Sequence, residues 1–180
     1  MKKVISLISV LVICLCLCAC GNDDSSNGAA TEPTKGGDKA PATTPVGYTF
    51  TYNDYQFGVG MSVEAVLENL GEPVQKIESE SCAFGGKDTV YYYGSLQIST
   101  NDEDGYEKIY SIYVDNDLLP TEEGVNVNDT AQQVKDVYGE PGSNSTENCL
   151  IYAKAGMYLK FILKDNKVSS ITYTTLGPIL

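Results

Sequence analysis

The chain of 180 residues has no histidine, no tryptophan and no arginine, so all twelve of its basic residues are lysines. Histidine most often supplies the general base for a serine or cysteine nucleophile, and its absence argues against the common forms of nucleophilic catalysis. Twenty-four aspartates and glutamates bring the net charge to −12. We do not expect so acidic a chain, without a guanidinium group to clamp phosphates, to bind nucleic acid.

Metal ligands are also scarce, since only Cys82 and Cys149 of the six cysteines lie beyond the first twenty residues. A structural zinc site takes four ligands, mostly Cys or His, so we expect no metal and no cofactor. Since the chain has neither a histidine base nor a metal site, we also expect no enzymatic activity. The acidic segment Asn101–Gly105 fails the EF-hand spacing, because Ser111 stands where the bidentate glutamate belongs. A solvated hairpin turn and a weak calcium site both remain open for this segment.

The first twenty residues carry an export pattern. A positive start at Met1–Lys3 precedes an apolar run from Val4 to Ala19, which is shorter than the about 20 residues of a membrane-spanning helix. The run ends in Leu17-Cys18-Ala19-Cys20, which resembles the lipobox of bacterial lipoproteins. The resemblance implies a signal peptide over residues 1–19 and fatty acyl chains such as palmitate on Cys20. Those chains would hold the protein on the outer side of the cell membrane.

Residues 20–47 follow as a tether. From Gly21 to Val46 the chain is mainly Gly, Ser, Thr, Pro, Asp, Asn, Lys and Ala, and it cannot bury enough apolar surface to order itself. All thirteen tyrosines lie in residues 48–180, where eight lysines stand against twenty aspartates and glutamates. The folded core is therefore expected in this part of the chain.

An internal repeat is the most informative pattern in residues 48–180. The segments Val59–Pro73 and Val127–Pro141 align at a constant offset of 68. Each predicts a short helix with one apolar face, which begins after an N-cap at Ser62 or Thr130. Each helix is expected to end at a left-handed glycine. The two apolar faces consist of Val63, Val66, Leu67 and Leu70, and of Ala131, Val134, Val137 and Tyr138; the C-cap glycines are Gly71 and Gly139.

Alternating apolar and polar residues after each helix predict antiparallel strands, as over Met157–Lys164. The closing strands Lys108–Tyr113 and Lys167–Thr172 align at an offset of 59, so the first copy has nine extra residues, expected in Asn101–Gly105. The predicted fold is α+β, with two tandem copies of a short helix packed on a three- to four-stranded antiparallel sheet. Repeat 1 spans residues 48–120, with an opening hairpin, and repeat 2 spans residues 121–180.

The helix endings Leu70-Gly71-Glu72-Pro73 and Tyr138-Gly139-Glu140-Pro141 precede a meander that closes on Lys167-Val168-Ser169-Ser170-Ile171. This pattern resembles small lipoproteins of Gram-positive gut bacteria, which are similar to the SmpA/OmlA outer-membrane assembly lipoprotein and to the tandem-repeat β-lactamase inhibitor proteins. The resemblance covers residues 48–180 and implies fold, with function only by analogy. The two-helix motif of the inhibitor repeats is not visible here.

Tyrosines offer the best candidate for a binding surface. Tyr91 and Tyr93 stand in a run of three tyrosines, and Tyr113 and Tyr158 are expected near the less apolar side of their strands. Tyrosine is favoured at binding faces and equally in strands for packing, so the four rings form either a contiguous exposed patch or part of the core.

Cys82 and Cys149 occupy equivalent places, eleven residues after Gly71 and ten after Gly139. In an exported protein they allow one intramolecular disulfide, provided that the two copies bring their Cα atoms within about 7 Å. Two separate thiols that pack as small apolar side chains are the other interpretation.

Taken together, these patterns predict a lipid-anchored extracytoplasmic binding module without catalytic activity, with the membrane as one partner and an envelope or secreted protein as another. An inhibitor of a secreted enzyme is the second hypothesis, and a cell-envelope hydrolase acting through paired carboxylates is the third.

Overall fold

The computed structural model describes residues 44–177, all of which belong to one compact unit. Nine strands and two helices follow in the order β1 (Phe50–Tyr52), β2 (Tyr55–Phe57), α1 (Val63–Leu70), β3 (Gln75–Glu80), β4 (Lys87–Tyr93), β5 (Leu96–Asn101), β6 (Lys108–Val114), α2 (Ala131–Tyr138), β7 (Cys149–Lys154), β8 (Met157–Lys164) and β9 (Lys167–Thr174). Neither helix is long and apolar enough to cross a bilayer.

The predicted fold class is wrong. Strands hold 43% of the described residues and helices 12%, and one seven-stranded antiparallel sheet runs in the order β3-β4-β5-β6-β9-β8-β7. The β1–β2 hairpin forms a separate two-stranded sheet. The seven strands form one sheet because β6 and β9 pair directly, with Tyr113 opposite Thr172, so that neither strand is left as an open edge. Both helices have only eight residues and are minor additions to this sheet.

The two helices lie where the sequence pattern predicts them, but they begin differently. The predicted N-cap Thr130 forms a capping box with Gln133: the Thr130 hydroxyl accepts from the Gln133 N–H, and the Gln133 side chain accepts from the Thr130 N–H. Ser62 has the extended backbone of an N-cap residue but makes no side-chain cap hydrogen bond. Each helix ends at a glycine with positive φ, 76° at Gly71 and 81° at Gly139.

The sheet has one core face and one open face. The core face carries large buried side chains such as Ile98, Ile112 and Phe161, none of which is exposed. Buried residues of the helices, Val66 and Val134 among them, join the same hydrophobic core, as do Phe50 and Phe57 of the β1–β2 hairpin. The opposite face of the sheet therefore has neither helix nor hairpin packed on it as a layer. Antiparallel sheets commonly leave one face to solvent in this way.

Equivalent hydrogen bonds recur in the two halves of the sheet. The Tyr93 hydroxyl donates to Gly71 O at 2.7 Å, and the Tyr152 hydroxyl donates to Gly139 O at 3.0 Å. The Val74 N–H donates to Tyr92 O, and the Gly142 N–H donates to Ile151 O, both at 2.8 Å. The equivalent residues at and just after the helix ends differ by 68 in number, and those in β4 and β7 differ by 59. These are the two offsets found in the sequence alignment.

Those hydrogen bonds also show where the nine extra residues lie. The offset is 68 at Val74 and already 59 at Tyr92, so the net nine extra residues belong to the β3–β4 hairpin and not to Asn101–Gly105 as predicted. The β5–β6 connection is four residues longer than the β8–β9 connection, but the β7–β8 hairpin is four residues longer than the β4–β5 hairpin, so these two differences cancel. In the second half the segment after Gly142 forms a short loop instead of a strand. β3 is consequently the one strand of the sheet that has no counterpart in the other half.

Candidate functional site

Two neighbouring rows of cross-strand partners run across the middle of the open face of the sheet, and we call these two rows the open sheet face. One row consists of Gln75, Tyr92, Gln97, Tyr113, Thr172, Lys160 and Ile151. The other row consists of Ile77, Val90, Ser99, Ser111, Thr174, Tyr158 and Ala153. Each row crosses all seven strands, so the surface has the rigidity of a continuous hydrogen-bonded sheet.

The composition of the open sheet face differs sharply from that of the rest of the folded part. None of its fourteen positions holds an aspartate or glutamate, and Lys160 is its one charged residue. Residues 48–180 as a whole contain twenty carboxylates. The carboxylates therefore lie outside these two rows, and Asp88 stands in the next row on this side of the sheet, between Ser79 and Asn101. The open sheet face itself is a carboxylate-free patch of tyrosine, hydroxyl, amide and aliphatic groups with one lysine.

The structure divides the four predicted binding tyrosines between the two faces. Tyr91 and Tyr93 are 3% and 8% exposed and belong to the hydrophobic core, so their assignment to a binding surface is wrong. Tyr113 and Tyr158 lie on the open sheet face and are half-buried. Tyr92, which is not among the four predicted residues, lies there with them. Tyr92 and Tyr113 stand two strands apart, on either side of Gln97.

The sequence itself contains a signal that tells which of the three consecutive tyrosines face the core. Gly94 and Ser95 form a two-residue turn, so Tyr93 stands opposite Leu96 and Tyr91 opposite Ile98. Residues directly opposite each other share a face of the sheet, and the alternation of Leu96 and Ile98 with the polar Gln97 and Ser99 marks Leu96 and Ile98 as the buried side. Tyr92 must then point the other way, because side chains alternate along a strand.

The core tyrosines have structural roles. The Tyr91 hydroxyl donates to both carboxylate oxygens of Glu107, at 2.9 and 3.0 Å, and Thr100 also donates to this carboxylate. Burial and the negative charge of Glu107 raise the pKa of Tyr91 well above its usual value. Burial likewise raises the pKa of Tyr152 to about 12. These phenols stay protonated and serve as hydrogen-bond donors that hold loops and helix ends to the sheet.

A recess of about 390 Å³ lies against the open sheet face, between the tip of the β3–β4 hairpin and the C-terminal end of the described chain. Its lining includes Ala83 from the hairpin tip, Leu176 and Gly177, and from the sheet Ser111, Thr172, Thr174 and Lys160. The Lys160 ammonium donates to Gly177 O at 3.4 Å. The recess thus offers hydroxyl groups and one positive charge beside an aliphatic side chain, which suits a polar group of a partner.

The hairpin tip that bounds this recess is held in place by side chains. Phe84 packs on Tyr110 of β6 with ring centroids 5.2 Å apart. Asn101 donates through its amide to Gly85 O at 2.9 Å and to the Asp88 carboxylate at 2.8 Å. The wall of the recess is therefore a fixed part of the fold.

Cys82 and Cys149 are both free thiols, so of the two interpretations the structure has the separate thiols and not the disulfide. Cys82 lies exposed in the loop after β3, and Cys149 is half-buried at the start of β7. β3 and β7 are opposite edges of the sheet, so the facing arrangement that a bond required is not formed. Burial raises the pKa of the Cys149 thiol, and the nearby Lys160 charge opposes that shift in part.

The acidic segment Asn101–Gly105 forms a turn between β5 and β6. Asp102 accepts from the Lys87 N–H, Asp104 pairs with Lys108 at 2.5 Å, and the Asn101 side chain accepts from the Glu103 N–H. Within residues 44–177 no group of three or more Cys, Asp or Glu side chains is arranged to hold a metal ion. The segment has the contacts of a solvated hairpin turn. Cys20, the predicted lipidation site, lies outside the described residues.

Comparison with known proteins finds no family model, no curated protein and no solved structure that matches this chain.

Proposed function

We propose that the chain is a binding module without catalytic activity, held on the outer side of a cell membrane by lipid on Cys20, and that the open sheet face binds its partner. The observation that carries this proposal is the composition of that face. In a domain with twenty carboxylates, two adjacent rows of fourteen side chains contain none, while three tyrosines stand among them.

That composition is typical of the centre of a protein interface, where charged residues are depleted and tyrosine is enriched. Tyr92, Tyr113 and Tyr158 each offer a large apolar ring and a hydroxyl group, and each loses little side-chain entropy on binding. Gln97 and Thr172, which separate the rings or flank them in the same row, add donors and acceptors. A partner with a mixed apolar and hydrogen-bonding surface fits this face best.

An envelope protein or a secreted protein is the kind of partner that a tethered, outward-facing module can reach. The acidic surroundings of the open sheet face would speed the approach of a partner whose rim carries lysines or arginines, because complementary charge mainly raises the association rate. We therefore expect binding to become slower as salt is raised, with a smaller effect on how long the complex lasts.

Cross-linking and pulldown from the native cell envelope test the proposal. Tyr113→Ser is expected to reduce capture of the partner at least about tenfold, because truncation of a central tyrosine removes a typical hot-spot contribution. Tyr106→Ser is the matched control, since Tyr106 is 39% exposed in the β5–β6 turn, outside the open sheet face. Equal capture by the two variants would contradict the assignment of the binding surface.

The identity of the captured protein then defines the role. If it is a secreted enzyme whose turnover falls on binding, the module acts as an inhibitor. If capture fails and the purified chain turns over a substrate in a hydrolase screen, the proposal of a non-catalytic module is wrong.

The anchor is tested separately. Cys20→Ala should abolish incorporation of radiolabelled fatty acid and release the chain from the membrane fraction. Label that still enters the variant would show that the lipobox assignment is mistaken, without bearing on the open sheet face.

A further inference from the structure

The two edge strands of the seven-stranded sheet differ in whether another segment covers them. At the β7 edge the preceding loop covers the strand: the Gly142 N–H donates to Ile151 O, the Ile151 N–H donates to the Ser145 hydroxyl, and the Thr146 N–H donates to Cys149 O. At the opposite edge, β3 pairs only with β4, and within residues 44–177 no segment pairs with its other side. All six side chains of β3 are exposed. An edge of this kind is a template for a further strand.

The direction of the backbone groups of β3 follows from its hydrogen bonds. The Ser81 N–H donates to Gly86 O at 3.1 Å, which makes residues 81 and 86 a hydrogen-bonded pair. Because such pairs alternate along antiparallel strands, Gln75, Ile77 and Ser79 direct their N–H and C=O groups towards β4. Lys76 and Glu78 then direct theirs to the open edge.

The sequence of β3 is complementary to itself in one antiparallel register. If a second copy of β3 is placed across a twofold axis at Ile77, each Lys76 stands opposite Glu78 of the second copy. The backbone groups that point to the edge belong to these same residues and can form hydrogen-bonded pairs. The two Ile77 side chains, each 45% exposed in one copy, stand opposite each other. A shift of the axis to Glu78 would oppose two glutamates, which is unfavourable.

We propose that two copies of the chain associate through β3 in this register, so that their sheets continue into each other and their open sheet faces lie side by side. The proposal does not depend on the partner or the anchor proposed above. Two paired six-residue edges bury less area than a stable interface needs, so the dimer is weak and reversible. Confinement to a surface would raise its population.

Disulfide trapping at the twofold axis tests the register. In the full chain with Cys82→Ser and Cys149→Ser, Ile77→Cys would place two Cα atoms about 4.5 Å apart, within disulfide range. Ser79→Cys is the matched control, because it lies on the same exposed strand and the same face. In the proposed register the two Ser79 positions are offset by four residues, or about 14 Å, which is too far to bond. The chain without either new cysteine gives the background from Cys14, Cys16, Cys18 and Cys20.

We expect Ile77→Cys to form the cross-linked dimer at least about tenfold faster than Ser79→Cys under the same mild oxidant, with equal melting temperatures of the reduced proteins. Equal rates at the two positions, or a faster rate at Ser79→Cys, would overturn the proposal. The variants keep every hydrogen bond between β3 and β4, so loss of the fold does not explain either outcome.

Charge reversal tests the pairing chemistry independently. Lys76→Glu opposes like charges twice across the axis and should slow trapping through Ile77→Cys about fivefold to tenfold. Adding Glu78→Lys restores two opposite-charge pairs across the axis and also restores the pair within the strand, which joins Lys76 and Glu78 at 2.6 Å. The double reversal should return the trapping rate to within about twofold of the starting chain. Failure of this rescue would refute the register.

Discussion

The two halves of the sheet share their strand pattern and several hydrogen bonds, yet their boundaries differ. In the second half both boundaries are covered: a capping box begins the helix, and a loop pairs with the edge strand. The first half leaves both places open, with no side-chain cap at Ser62 and an uncovered β3. Similar patterns of core residues can thus specify the same local fold while the ends of the elements determine what each half offers to other molecules.

The helices are also anchored differently. Tyr138 at the end of α2 packs against Tyr152 and Phe161, with ring centroids 5.2 and 5.3 Å apart. In the first half, Leu70 corresponds to Tyr138 at the offset of 68. Ile98 corresponds to Phe161 because the two residues pair with the equivalent Ile112 and Ile171. The second half therefore depends on an aromatic cluster where the first depends on aliphatic packing.

The largest expected effect comes from removing the completely buried ring of that cluster. Phe161→Ala should lower the free energy of unfolding by about 3–5 kcal/mol, because the ring is completely buried and its neighbours cannot close the cavity. The matched change Ile98→Ala deletes fewer atoms and should cost less, about 2–4 kcal/mol. Urea unfolding of both variants measures the difference. A larger loss at Ile98 would show that the aromatic cluster is not the stronger anchor.

Removing the helix N-cap side chains should distinguish the two halves more clearly, although the loss of stability is smaller. Thr130→Ala is expected to destabilise the fold by about 1 kcal/mol, since it breaks the capping box. Ser62→Ala should change stability by less than about 0.5 kcal/mol, because the Ser62 side chain makes no cap hydrogen bond. Thermal or urea melts check both values. Equal losses would mean that the two helix starts are equivalent in solution.

The smallest effect concerns the thiols and leaves stability unchanged. Labelling of the denatured, unreduced protein should find both Cys82 and Cys149 free. In the folded protein Cys82 should react much faster, because Cys149 is half-buried and burial raises its pKa, so less of it is thiolate at neutral pH. Peptide mass spectrometry after timed labelling measures both rates. Similar rates would contradict the difference in exposure between the two positions.

Local chemistry made the helices and several strands predictable. Thr130 with Gln133 and the Gly-Glu-Pro endings specify where a helix begins and ends, and the alternation over Met157–Lys164 specifies a strand with one buried face. These signals operate over a few residues, which is why they can be seen in a single sequence.

The errors concern contacts between distant residues. Whether β6 pairs with β9 depends on which strand edges meet, and no short pattern encodes that choice. The same reason left the pairing of Cys82 and Cys149 open in the sequence, since equivalent positions in two halves need not be neighbours. The side of the sheet on which Tyr91, Tyr92 and Tyr93 lie can be predicted from the Gly94-Ser95 turn, but only by first deriving the register of β4 with β5.

The alternating direction of the backbone along β3 has a consequence for amide hydrogen exchange. The N–H groups of Gln75, Ile77 and Ser79 are protected by β4, whereas those of Lys76 and Glu78 face water. Deuterium should therefore enter at every second residue of this strand without any opening of the protein. Because β3 contributes no side chain to the core, its remaining amides should exchange through local fraying well before global unfolding. We therefore expect β3 to separate from β4 and pair with it again while the core remains folded.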